Sequence, residues 1–307
     1  NKKFTFMAFA SGQISTESTN IKRYIGVASV YVKCVNPSKS ELEKFYGRDI
    51  ENAPEYISEI DVNGTKVPQV RLDFMVVADP KKYTDGEGKP IDFKTRISLF
   101  LRREFRLSSA GKYQVIDKYG RTAWATEAEI ATKQIPVYSN GKPANINANY
   151  RKAYHGEEEL IKFLIAYLNI PSCQKYVNGE WIMLEANKLA DCEASLEHIE
   201  DYFKGNFKEL SDILALQPNN KVKVLFGVRN TDDGKQYQTA YTRMFLKNSV
   251  TDYSRIDKDL QDAKNNGAMP TSEFEVTDLH EYVVAPTDFS NSDSPFPPAS
   301  NAATPWG

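Results

Sequence analysis

Basic and aromatic side chains alternate along residues 93–106 at the spacing of a β-strand. In a strand, successive side chains point to opposite faces. One face is then a core face and carries Phe93, Thr95, Ile97, Leu99 and Leu101. The other face carries Lys94, Arg96, Ser98, Phe100, Arg102, Glu104 and Arg106. A ring among cations suits unpaired nucleotides, because a base stacked on an aromatic ring is worth about 1–3 kcal/mol while the cations hold phosphates.

A second segment repeats the pattern. Residues 221–229 and 236–247 alternate on either side of Asp232-Asp233-Gly234, and such a turn between two alternating runs predicts a β-hairpin. Val222, Val224, Phe226 and Val228 are expected to point inward. The candidate phosphate contacts are Lys221, Lys223, Arg229 and Arg243, and the candidate stacking groups are Tyr237, Tyr241 and Phe245.

The same aromatic residues also have a purely structural interpretation. Aromatic side chains on exposed sheet faces form cross-strand pairs that stabilise the ladder. In addition, an inserted segment packed over either face would turn these residues into core. The sequence leaves both interpretations open.

Motifs for catalysis or metal binding are missing from the sequence. Gly86-x-Gly88 has no third glycine and no following helix, so it predicts a turn rather than a phosphate loop. His198-x-Glu200 lacks the PCxxC of zinc deaminases, and no GxSxG occurs. We therefore expect no catalytic residues, no metal and no cofactor, and a protein that is not an enzyme.

The predicted elements describe an α+β fold. Strands are expected at residues 4–10, 21–36, 67–77, 91–107, 221–229, 236–247 and 274–284, and helices at 157–168, 193–203, 207–216 and 253–265. Ser38 with Glu41 and Thr126 with Glu129 are capping boxes that begin short helices. This order suits a small antiparallel β-barrel within residues 1–285, elaborated by a helical insertion at about 120–216.

Composition and charge narrow the class of protein. The chain has 307 residues, 41% of them hydrophobic, and no apolar run approaches the roughly 20 residues of a membrane span. Two of the 41 acidic residues and none of the 39 basic residues lie in 286–307, so the net charge of residues 1–285 is zero. A net charge of zero is compatible with a basic surface on one side of the protein. Three widely spaced cysteines without a CxxC indicate a reducing compartment.

The C-terminal segment 286–307 contains five prolines and isolated Phe289, Phe296 and Trp306. It has too few apolar residues to offset the entropy of ordering, so we expect a flexible tail. The three aromatic side chains are candidate contacts for a protein partner.

Five long segments resemble single-stranded DNA-binding proteins of tailed bacteriophages, including the crAss-like gut phages. They are YIGVASVYV at 24–32, VNPSKSELEKFYG at 35–47, DKYGRTAW at 117–124, YRKAYHGEEEL at 150–160 and NKVKVLFGV at 220–228. The resemblance implies an OB-fold core, a role in DNA replication and recombination, and a tail that recruits phage replication proteins. Some members carry a Cys and His zinc module, which this sequence lacks.

The expected function is therefore sequence-tolerant binding and protection of single-stranded DNA in the cytoplasm of an infected bacterial host, with no membrane association. The competing hypothesis is a virion structural or packaged protein whose aromatic face forms a subunit interface. A nuclease or polymerase accessory enzyme is a third possibility, which the missing metal-carboxylate motif weakens.

Overall fold

The protein is described by a computed structural model, which covers residues 22–133, 135–139, 142–145, 150–232, 234–269 and 271–283. The predicted strand at 4–10 lies outside the described residues. The same holds for the predicted tail and its candidate contacts Phe289, Phe296 and Trp306.

The first part of the chain builds four strands and one helix. They are β1 (Arg23–Val35), α1 (Lys39–Tyr46), β2 (Ile57–Val62), β3 (Thr65–Ala78) and β4 (Lys94–Phe105). The capping box that opens α1 is confirmed, since Ser38 accepts from the Glu41 N–H and the Glu41 side chain accepts from the Ser38 N–H. The helix ends where Gly47 takes φ +66°, a conformation that glycine adopts without strain.

The segment between β4 and the predicted hairpin mixes short strands with helices. Its strands are β5 (Tyr113–Ile116), β6 (Thr122–Ala125), β7 (Pro136–Ser139), β8 (Lys142–Asn145), β9 (Arg151–Lys152), β10 (Tyr154–His155), β11 (Gln174–Val177) and β12 (Glu180–Met183). Its helices are α2 (Glu127–Ala131), α3 (Glu157–Tyr167), α4 (Ala186–Leu189), α5 (Ile199–Tyr202) and α6 (Lys208–Leu216), with a 3-10 turn at Ala190–Cys192.

The helix predicted over 193–203 is wrong for most of its length. Buried Ala194 and Leu196 alternate with exposed Glu193, Ser195 and Glu197, which is the pattern of an extended segment lying on the core. Only α5 at its end is helical.

The last part of the chain returns to the sheet. It contains β13 (Lys221–Asn230), β14 (Gln236–Ala240), β15 (Leu246–Lys247), α7 (Ser254–Asn265), β16 (Ser272–Phe274) and β17 (His280–Tyr282). The predicted hairpin is confirmed as the antiparallel pair β13–β14, but its second strand ends at Ala240 rather than at Lys247. The single strand predicted for 274–284 is instead two short ones.

A ten-stranded sheet forms the centre of the fold, in the order β10-β4-β3-β1-β13-β14, with β2, β15, β16 and β17 paired at its margins. Its named pairs are antiparallel, as predicted. The sheet curls until Cα atoms of β4 and β14 come within 8 Å of each other. However, no ladder joins these two strands among the described residues, so the predicted barrel is not closed.

The inner face of the sheet holds the main core. Val70, Leu72, Phe74 and Val76 of β3 are buried there, as the alternation predicted. Helix α3 covers this face and brings the ring of Phe163 to 4.4 Å from that of Phe74. A smaller core between the sheet and α7 lies on the outer face of β13. Among the described residues, none of the helices combines the length and apolar composition that crossing a bilayer requires.

Candidate nucleic-acid interface

Phe100 lies on the outer face of β4, where its side chain is 46% exposed. The neighbouring residues Leu99 and Leu101 are buried in the inner core, so the predicted division of β4 into two faces is confirmed at this point. Cross-strand pairing places Arg71 of β3 directly opposite Phe100. The Arg71 side chain is only 17% exposed, and its guanidinium carbon lies 5.6 Å from the ring centroid of Tyr56. Phe100 is therefore the exposed member of this pair.

A buried carboxylate orients two arginines on the same face as this ring. Asp73 has a side chain only 4% exposed, and it lies 3.1 Å from Arg71 Nε and 3.4 Å from Arg96 NH1. Ser98 Oγ donates a hydrogen bond of 2.7 Å to the same carboxylate. Two positive groups share one negative group, so this cluster keeps a net positive charge on the outer face.

Arg102 extends the positive surface on the other side of Phe100. Its Nε donates to Gln69 Oε1 at 3.3 Å, and Gln69 lies directly opposite it on β3. Because Gln69 is neutral, this contact orients the Arg102 guanidinium without cancelling its charge. No acidic partner for Arg102 occurs within ion-pair distance in the described part of the chain.

The basic surface continues onto two further strands, β1 and β13. Lys94 lies opposite Val77, Val77 opposite Tyr31, and Tyr31 opposite Lys221, so these residues share the outer face. Lys221 Nζ is 5.1 Å from the Tyr31 ring centroid and Lys33 Nζ is 5.3 Å from it. A ring flanked by two ammonium groups is thus added to the row that begins at Phe100.

Tyr31, Lys33 and Arg71 were not among the predicted site residues. A signal was present, since Tyr31 and Lys33 alternate with valines in the predicted strand 21–36. Arg71 alternates with Leu72 in the same way. We use the name outer basic face for this set, which comprises Tyr31, Lys33, Arg71, Lys94, Arg96, Phe100, Arg102 and Lys221.

Several predicted cations are paired with acids. Lys94 lies 3.4 Å from Asp92, an exposed pair that costs little to open. Lys221 lies 2.8 Å from Asp79. Burial alone raises the pKa of Asp79, but hydrogen bonds from the Lys221 ammonium and the Lys81 N–H outweigh it, and the pKa falls below its ordinary value. Both lysines therefore already have a carboxylate partner.

The Arg106 guanidinium is less available for a phosphate contact than the sequence predicted. Its NH1 lies 3.2 Å from Glu158 and 3.7 Å from Glu159 at the start of α3, and 3.4 Å from Gln114 Oε1. Two carboxylates therefore already neutralise this guanidinium. Its role as a phosphate contact is not supported by this arrangement.

Three of the predicted hairpin contacts are buried, so the expectation that they face solvent is wrong. Tyr241 is fully buried, and its hydroxyl donates to Asp259 of α7. Phe245 is 8% exposed, with its ring 5.2 Å from that of Phe163. Lys223 is 4% exposed, and its ammonium donates to the carbonyl of Val250. Burial lowers the pKa of Lys223.

The physical reason is the path of the chain after β14. After Ala240 the chain leaves β14, and β15 pairs with the start of β13 beside Lys223. Helix α7 then packs Ile256 and Leu260 against Leu225 and Tyr241 on the outer face of β13. Both faces of β13 are consequently buried from Val222 to Val228. This is the structural interpretation that the sequence left open for the hairpin.

The remaining hairpin candidates are exposed but separated from the outer basic face. Arg229 pairs with Tyr237, which is 39% exposed, at the end of β13 remote from Lys221. Eight residues of strand span roughly 26 Å, and the α7 core lies between the two ends. Arg243 is exposed with its Nε 3.5 Å from Asp259. The structure therefore places Lys94, Arg96, Phe100, Arg102 and Lys221 on one face of the sheet, and the α7 core separates Arg229 and Tyr237 from that face.

The groove between α5 and α6 has the opposite charge. It is lined by four acidic residues, Glu197, Asp201, Glu209 and Asp212, against one basic residue, Lys208, which is paired with Asp212. His198 also lines it, with its Nδ1 3.5 Å from Glu209. Within the described ranges, no group of three or more His, Cys, Asp or Glu side chains is arranged to hold a metal ion. An acidic groove disfavours a polyanion, whereas the outer basic face carries the charge that would attract one.

Comparisons with known proteins add no family to these observations. No protein-family model matches the chain. No curated protein and no solved structure shows significant similarity to it.

Proposed function

We propose that the protein binds single-stranded DNA without sequence preference, using the outer basic face, during replication or recombination of bacteriophage DNA. The observation that carries the proposal is the exposed ring of Phe100 between arginines whose positions are set by buried Asp73 and Gln69. Stacking on a ring does not distinguish one base from another, and cations follow the phosphates. No chemical bond is made or broken in this function.

The curled sheet fits the same proposal. We propose that it is an elaborated OB-fold, since OB-folds bind oligonucleotides on the face of a small antiparallel sheet. The approach of β4 to β14 supports this assignment. The resemblance of five sequence segments to phage single-stranded DNA-binding proteins also supports the OB-fold assignment. The same resemblance supports the proposal that the protein acts in the cytoplasm of the infected host cell.

Fluorescence anisotropy of labelled oligo-dT tests the proposal with the full chain. We expect binding to oligo-dT and much weaker binding to a duplex of equal length, each at two salt concentrations. Log affinity should fall by about 0.7 per phosphate contact as log salt rises. Phe100→Ala should weaken oligo-dT binding by about 5- to 150-fold, which corresponds to a lost stacking contact of about 1–3 kcal/mol, with an unchanged melting temperature.

Tyr176→Ala is the matched control, because Tyr176 is an even more exposed aromatic residue on the separate β11–β12 hairpin. It should leave the affinity unchanged. A Phe100→Ala variant that melts several degrees lower with unaltered affinity would assign Phe100 to the packing of the sheet. Absence of oligo-dT binding, with self-association that Phe100→Ala abolishes, would favour the virion subunit interface instead.

A further inference from the structure

The outer face of β4 continues beyond the strand into the three-stranded sheet β6-β5-β9. Leu107 and Tyr113 form an isolated antiparallel bridge, and the Gln114 N–H donates to the Arg106 carbonyl at 2.8 Å. Gln114 in turn lies directly opposite Trp124 on β6. Since directly opposed residues of a ladder share a face, Arg106, Gln114 and Trp124 project to the same side.

Alternation along β4 connects this side to Phe100. Arg102 pairs with His155 and Phe105 with Tyr154, so Arg102 and Phe105 point to opposite faces despite the irregular register between them. Arg106, which follows Phe105, therefore lies on the face of Arg102 and Phe100. Six residues of strand place it about 20 Å along the sheet from Phe100.

Trp124 is held in place while much of its side chain stays in solvent. It is 40% exposed, and the Arg106 guanidinium carbon lies 5.9 Å from its ring centroid. Arg106 is fixed by Glu158, which also accepts a 2.6 Å hydrogen bond from Gln114 Nε2. On the other face of β6, Ala123 and Ala125 pack into a small apolar cluster. The contacts with Arg106 and the packing of β6 therefore hold the indole in place, so little side-chain entropy would be lost if a base stacked on it.

We propose that Trp124 is a second base-stacking site for single-stranded DNA, at the far end of the path that begins at Phe100. This inference rests on the proposed function of the outer basic face. It gives Arg106 a positioning role, holding the indole through a cation–π contact, in place of the phosphate contact that its two carboxylate partners disfavour. A strand bound at Phe100 would extend past Arg102 to reach the indole.

Tryptophan fluorescence tests the proposal, because the sequence contains only Trp124, Trp181 and Trp306. One full-length variant, with Trp181→Phe and Trp306→Phe, retains Trp124 alone. A matched variant, with Trp124→Phe and Trp306→Phe, retains Trp181, which is also exposed but lies on the β11–β12 hairpin. Both are titrated with unlabelled oligo-dT at low salt, and binding is measured independently by anisotropy of labelled oligo-dT.

We expect quenching of Trp124 at the concentration where anisotropy reports binding, and no change for Trp181. In addition, Trp124→Ala should weaken binding by about 5- to 150-fold with a single cooperative unfolding transition. Binding by anisotropy without quenching of Trp124 would overturn this inference and leave the function at Phe100 intact. No binding in either measurement would overturn the proposed function and this inference with it. If Trp124→Ala fails to fold, the two single-tryptophan variants still decide the question.

Discussion

Aromatic residues on the strands and in the segment that follows β14 differ in what covers their rings. Phe100 has solvent over almost half of its side chain, whereas Tyr241 and Phe245 are covered by α7 and α3. A buried ring contributes to stability through its apolar area and cannot stack on a base. Accessibility, rather than residue type, therefore decides which aromatic residue can take part in binding.

Tyr241→Phe separates these two roles. The substitution removes the hydroxyl that donates to Asp259 and keeps the buried ring. We expect the free energy of unfolding to fall by about 1 kcal/mol, since Asp259 is partly exposed and water replaces its lost partner. Urea denaturation measures this change, and oligo-dT affinity should stay constant. Weaker oligo-dT binding with an unchanged free energy of unfolding would instead assign Tyr241 a role in DNA binding.

At the scale of elements, the junction of β10 and α3 controls the position of β4. Gly156 has φ +88°, and a Cβ at this position would overlap the carbonyl oxygen of Phe100. Only glycine allows this approach without moving one of the backbones. The strand segment that carries Phe100 is therefore set partly by the residue at which helix α3 begins.

Gly156→Ala should accordingly destabilise the fold and disturb the site together. We expect a loss of at least about 2 kcal/mol, from a positive φ in alanine and a backbone clash, with weaker oligo-dT binding. Gly64→Ala is the control, because Gly64 has a similar φ of +84° and a Cβ added there would have no atom within 4 Å. Equal melting temperatures for the two variants would contradict the role of the close approach.

At the scale of the whole molecule, charge is segregated although the net charge is only −2. The outer basic face lies on the sheet, and the acidic groove lies between α5 and α6. A nearly neutral protein can in this way present a positive surface to a polyanion. The segment 286–307 adds two of the acidic residues and no basic ones.

Deletion of 286–307 should leave the affinity for oligo-dT unchanged or increase it. The physical reason is that the deletion removes two negative charges and none of the proposed contacts. Anisotropy at low salt measures the affinity, and circular dichroism on heating reports whether the shortened chain folds. An unfolded product would contradict the expectation that this segment is dispensable for the fold.

Local pattern alone was sufficient for much of the secondary structure. The alternation in β3 and β4, the two capping boxes and the turn of the β13–β14 hairpin each depend on residues close together in sequence. The position of Phe100 on an outer face also follows from alternation. These features are set by short-range geometry, so a single sequence contains the information for them.

Only the tertiary structure decided which outer faces stay open. Alternation assigns Lys223 and Phe100 equally to the outside, yet residues 241–253 and α7 fold over the first and leave the second exposed. The pairing of Arg106 with Glu158, and of Arg96 with Asp73, likewise joins residues that are distant in sequence. Burial and charge neutralisation are properties of packed neighbours, and for that reason strand periodicity could not predict them.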